Sequence, residues 1–147
     1  MVDLKDLGKG VIVGAVVGAW SGGIYSVYFA FTILRYLQPV LRVPIILTTL
    51  VRSIVGGIIF GIIFSLLYYK IPLKNSIQKA LFFYFGYSLI IFLLISYLVP
   101  GLYYTLFSNR YLTNEFKYVY LGTSLIEGFI AGYMWDKSSK DQKSSSK

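Results

Sequence analysis

The chain has 147 residues, of which 56% are hydrophobic and 14% charged, with a mean hydropathy of +0.68. A soluble domain of this size carries charge on about a quarter of its residues, so lipid rather than water must surround much of this one. With no cysteine and no histidine, the chain excludes disulfide frameworks, thiolate metal sites, imidazole-ligated haem and any triad with a histidine base.

A helix needs about 20 predominantly apolar residues to cross a bilayer, and the intervals between charged residues predict four such helices. The first, about residues 10–34, lies between Lys9 and Arg35. The apolar region of a cleaved signal peptide is about 7 to 15 residues; this run exceeds it, and a retained membrane helix is expected. The second lies between Arg52 and Lys70, but an apolar lead from Pro44 extends it to about 45–69 and takes Arg52 inside. Pro44 suits a first helical turn. The third, about 79–99, stops before Pro100-Gly101, because proline cannot continue a helix. The fourth, about 118–135, is broken only by Glu127. Residues 136–147, DKSSKDQKSSSK, have nothing apolar to bury and are expected to form a disordered polar tail. The predicted fold is an all-α membrane protein, with residues 1–135 forming one domain of four transmembrane helices packed through glycine and small-residue faces.

Lysine and arginine are retained preferentially on the cytoplasmic side of a membrane. One side of the predicted topology carries Lys5, Lys9, Lys70, Lys74, Lys79, Lys137, Lys140, Lys143 and Lys147. The other carries fewer cations: Arg35, Arg42, Arg52, Arg110 and Lys117. Both termini are therefore expected in the cytoplasm, and a plasma-membrane location is the expectation. The net charge of +8 follows from this bias. No basic cluster interleaved with stacking aromatics occurs in a polar segment, so no nucleic-acid partner is expected.

In the first helix Gly10, Gly14, Gly18 and Gly22 recur every fourth residue, which places them on one narrow face. Such a glycine zipper lets backbones touch where lipid supplies little hydrophobic drive between helices. Small residues return as Ser53, Gly57 and Gly61 in the second helix and as Ser124, Gly128 and Gly132 in the fourth. The segments SIVGGIIFG and SLIEGFIAG share more than those positions, and either a duplicated hairpin or convergence on a packing motif explains them. The third helix lacks the glycine register and is bulky around its circumference. It is expected to face lipid outside a bundle of the other three. Tyr68, Tyr69, Tyr103, Tyr104 and Trp135 fall near predicted span ends and read as interfacial anchors. The GLYYTLF run of the outer segment reads either as a short interfacial helix or as a packed loop.

Glu127 lies near the middle of the fourth span, roughly 15 Å from either end at about 1.5 Å per residue. An ionised group there costs at least about 2.5–3.5 kcal/mol, so it should face the bundle interior or water and find a partner. Arg52, roughly one turn away if the matched segments lie side by side, is the candidate partner; snorkelling to the outer interface is its alternative. A structural ion pair or hydrogen bond competes with a proton or cation site as the role of Glu127. A midmembrane carboxylate among glycine-packed helices resembles the rotor proteolipids of rotary ATPases in arrangement alone. That resemblance implies a proton or cation role for Glu127, while the 14 Tyr, the 11 Phe and the placement of Arg35 and Arg52 depart from the family.

The leading functional expectation is a non-catalytic helix-packing subunit of a homo- or hetero-oligomeric membrane complex, with lipid and other subunits or copies of itself as partners. The alternative is a small transporter or channel subunit that moves protons or a cation through Glu127. An enzyme is not expected, since Glu127 has neither a nucleophile nor a second carboxylate within the spans, and Asn114 and Glu115 are isolated. No cofactor, haem or metal site is expected.

Overall fold

A computed structural model describes residues 4–32, 38–98 and 116–144. They form four helices: α1 (Leu4–Thr32), α2 (Pro39–Leu67), α3 (Ser76–Leu98) and α4 (Phe116–Ser144). Three are long and apolar enough to cross a membrane, over Leu4–Thr32, Arg42–Leu67 and Ser76–Leu94. α4 is long enough, but Glu127, several hydroxyl side chains and a polar C-terminal third lower its apolar content.

Every helix starts earlier than the charge-free intervals predict. Charged residues do not end a helix; their long stems let them extend it while the head stays in water, and Lys5, Asp6 and Lys9 all lie within α1. α2 begins with Pro39 in its first turn, where the missing proline N–H has no helical partner to lose. Pro44, expected at the start, instead lies inside α2. α3 starts where the Asn75 side-chain oxygen accepts the Ile77 backbone N–H at 3.0 Å and the Asn75 carbonyl accepts that of Lys79 at 3.0 Å. This is an N-cap. Where composition predicts disorder from Asp136, α4 continues to Ser144. No glycine or proline stops it, and lysine and glutamine are good helix formers. Pro100-Gly101 and the GLYYTLF run lie outside the described residues.

The helices pair as two antiparallel hairpins. A Cβ added to Gly14 would strike the Gly57 carbonyl, one on Gly10 would strike the Gly61 carbonyl, and one on Gly18 would strike the Ser53 carbonyl. The two backbones thus approach as closely as helices can. In the second hairpin, a Cβ on Gly128 would come 2.9 Å from the Leu81 Cα, and one on Gly132 would strike the Ile77 Cα. They rest on the α3 backbone between Ser76 and Leu81, where a buried stripe of Ser76, Ala80, Tyr84 and Ser88 runs along α3. α3 is therefore not a peripheral helix, as its bulk suggests. Its small and hydroxyl-bearing residues share one face at four-residue spacing, while Phe82, Ile90 and Leu94 stay exposed on the others.

Between the hairpins, α2 meets α3 and α4 through aromatic rings. Phe64 and Trp135 are almost wholly buried, with ring centroids 5.3 Å apart, and Phe64 also meets Phe83 at 5.4 Å and Tyr84 at 5.9 Å. Trp135 is 1% exposed, so it is a core residue rather than an interfacial anchor. Its position at the end of the apolar run says nothing about which side of the helix it occupies, and that side faces Phe64 and Tyr68. Tyr69 is exposed at the predicted span end, whereas Tyr68 is half-buried, with its hydroxyl 2.6 Å from Ser76 Oγ. Tyr103 and Tyr104 lie outside the described residues. At this same end of the bundle the Tyr69 hydroxyl donates to Asp6 Oδ2 at 2.9 Å, and Lys9 Nζ lies 3.7 Å from Asp6 Oδ1. Lys79 Nζ donates to the Tyr68 carbonyl at 2.8 Å.

Candidate functional site

All four helices contribute to one cavity of about 220 Å³. Glu127 of α4 lines it, together with Ser21 and Tyr25 of α1, Ser53 and Phe60 of α2, and Tyr84 and Tyr87 of α3. The register of each helix dictates this meeting. On α1, Ser21 and Tyr25 continue beyond the glycines that clamp α2, and on α4 Glu127 precedes Gly128, whose missing side chain draws α3 close. Glu127 is half-buried, and the Ser21 side chain lies beside its carboxylate. The Ser21 hydroxyl donates to the Gly18 carbonyl at 3.2 Å.

A hydroxyl network surrounds the carboxylate. Thr123 donates to its own helix at the Val119 carbonyl, 2.6 Å away, and its side chain lies against that of Tyr25. Tyr120 and Ser88 make a side-chain contact across α3 and α4. Ser124 donates to the Tyr120 carbonyl at 2.9 Å. Tyr84 is 4% exposed, and its hydroxyl has no hydrogen-bond partner among the described residues. Buried polar groups in native proteins are paired in the large majority of cases, and this hydroxyl, with almost no accessible surface, is an exception.

Among the described residues lining the cavity, Glu127 is the single charged one. Arg52, its candidate partner, is exposed on α2 and is not among them. The structure does not bring the two together. Ser53, the next residue, turns inward toward Gly18 and the cavity while Arg52 turns out, the placement that snorkelling requires. Of the small residues singled out in the sequence, Gly18, Ser53, Gly57 and Ser124 line the cavity as well as the packing faces. Gly10, Gly14, Gly61, Gly128 and Gly132 lie at helix contacts alone, and Gly22 faces Leu50 and Ser53.

Sequence reasoning missed the tyrosines of the site. Their signal was present, since Tyr84 and Ser88 on α3 and Tyr120, Ser124 and Glu127 on α4 recur at three- and four-residue spacing, each set on one helical face. The eye is drawn instead to tyrosines at span ends. Among the described residues no cluster of three or more metal-ligating side chains occurs. Comparison with protein families, with curated proteins and with solved structures finds no match.

Proposed function

We propose that this is a small multi-pass membrane protein, α4 forming its fourth span, that binds and moves a proton or a cation at Glu127. The observation that carries the reading is that Glu127 lines a cavity among all four helices with no cationic side chain among the described residues that line it. A carboxylate that holds the bundle together through an ion pair would sit against a guanidinium or ammonium partner, because an uncompensated buried charge is strongly unfavourable. A hydroxyl-lined cavity instead leaves room for the counter-charge to come and go.

The leading expectation from the sequence, a packing subunit of a larger complex, rests on three small-residue faces in one short chain. The close approaches of those faces are all to other helices of the same chain. That accounts for them without a partner subunit, and the faces serve here as the packing surfaces of the bundle itself. Both termini are proposed to lie in the cytoplasm of a plasma-membrane protein, in keeping with the lysines near the starts of α1 and α3 and the end of α4.

The test is flux in proteoliposomes under an imposed pH or cation gradient, with Glu127→Gln as the variant. Loss of flux in a variant that elutes and melts like the parent supports the reading. Equal flux through both proteins, or none through either under any gradient, overturns it.

A further inference from the structure

The bundle interior differs on the two sides of Glu127. Toward the end that carries Lys9, Lys70 and Lys79 it is packed shut: Val13, Phe64, Ala80 and Ala131, one from each helix, are each at most 2% exposed, as is Trp135. Rings pile up from the cavity wall to that end. Phe60 lies 6.0 Å from Phe83, and Trp135, which packs on Phe64, lies 4.8 Å from Tyr68. Lys9 Nζ stands 5.9 Å from the centre of the Trp135 ring and Lys79 Nζ 4.3 Å from that of Tyr68, so the rings lie between Glu127 and the lysines.

Toward the opposite end the lining changes to hydroxyls. Tyr25 is one turn beyond Ser21 on α1, Ser124 and Tyr120 lie on the side of Glu127 away from Trp135, and Ser88 of α3 meets Tyr120. Tyr25, Tyr120 and Glu127 all keep accessible surface. Hydroxyls offer the hydrogen-bond partners that water and ions need, whereas a polar or charged species entering a ring-filled layer loses its hydration without replacement.

Resting on the proposed cation role of Glu127, we infer that the proton or cation reaches Glu127 from the hydroxyl-lined side, and that the ring layer of Phe64, Phe83 and Trp135 is the barrier that closes the site from the lysine-bearing end. The layer stands between the hairpins, Phe64 of the first against Phe83 and Trp135 of the second. It opens if the hairpins part at that end, with the glycine contacts inside the first hairpin intact.

The chain has no cysteine, so single cysteines report access without background. Gly56 lines the cavity and has nothing within 4 Å of an added Cβ, which makes Gly56→Cys the main reporter, with the near-isosteric Ser53→Cys as a second. Lys70→Cys, exposed just beyond α2, marks the lysine-bearing face. A membrane-impermeant cationic methanethiosulfonate is added to one face at a time of sealed vesicles holding the full chain. Both cavity cysteines should react from the face opposite Lys70→Cys, and about ten- to a thousandfold more slowly from the Lys70 face, as for a site open to it in about 0.1–10% of molecules. Phe83→Ala, which removes a half-buried ring of the layer, should raise the slow rate at least about tenfold, by populating that open form, and leave the fast rate unchanged. Equal reaction from both faces, reaction from the Lys70 face alone, reaction from neither, or a slow rate that Phe83→Ala leaves as it was overturns the inference. The role of Glu127 is decided separately by flux. One-sided labelling together with parental flux in Glu127→Gln leaves the barrier standing and removes the reading it serves.

Discussion

At the scale of single residues, Glu127 and Arg52 look equivalent in the sequence, two charges in apolar surroundings, and the fold treats them oppositely. Helical phase decides: Ser53 and Gly57 hold the inward face of α2, so Arg52 one position earlier points away from the bundle. Arg52→Gln is accordingly expected to leave flux unchanged, measured beside Glu127→Gln in the same vesicles. A loss matching that of Glu127→Gln would reinstate the ion pair. Trp135 makes the converse point. A lipid-facing anchor tolerates truncation, whereas removal of a fully buried aromatic costs about 3–5 kcal/mol. Trp135→Ala should therefore lower the midpoint of thermal unfolding in detergent sharply, and Tyr133→Ala, on the exposed side of the same helix, should change it little. The sequence shows that both residues are aromatic near a span end; it does not show which one faces α2.

At the scale of elements, helix number, order and approximate extent were legible because bilayer thickness and charge spacing constrain them. The starts were not, because the signals that set them are a proline in the first turn of α2 and the Asn75 cap of α3, both outside the apolar intervals. The glycines divide by surroundings. Gly57→Ala would push a methyl into the Gly14 carbonyl and should destabilise the protein by about 1–3 kcal/mol, as overpacking does. Gly86 has no atom within 4 Å of an added Cβ, so Gly86→Ala should be neutral or stabilising by about 0.5–1 kcal/mol, the helix-interior difference between the two residues. Thermal unfolding of the two variants side by side checks both. The matched segments of α2 and α4 also prove to face their own hairpin partners, Gly57 toward Gly14 and Gly128 toward Ala80 and Leu81, a correspondence that a duplicated hairpin would leave.

At the scale of the whole molecule, one end of the bundle is tied by polar contacts that join distant parts of the chain. Asp6 near the start of α1 accepts from Tyr69 just beyond α2. Tyr69→Phe should loosen this end by about 0.5–1.5 kcal/mol, the net worth of one hydrogen bond, read as faster amide exchange over the first turns of α1 with little change in α3. The candidate site was only partly legible for the same reason that the fold was. Glu127 stood out by its charge, but the cavity is a property of four helices together, and its tyrosines gain meaning only once α3 turns its Ser76–Ser88 stripe toward α4.

The two kinds of helix contact differ in what they can endure. Within α1 and α2, backbone rests on backbone at Gly14 and Gly57, and no side chain stands between them to swing aside; sliding one helix along the other would drive carbonyl into carbonyl. Between the hairpins, the meeting surfaces are rings and hydroxyls on rotatable stems, Phe60 against Tyr87 and Tyr25 against Thr123, which can change rotamer while both backbones stay whole. The Glu127 cavity lies along that second kind of boundary. Mechanically, the protein is two stiff staves with a compliant joint, and the Glu127 cavity is built into the joint.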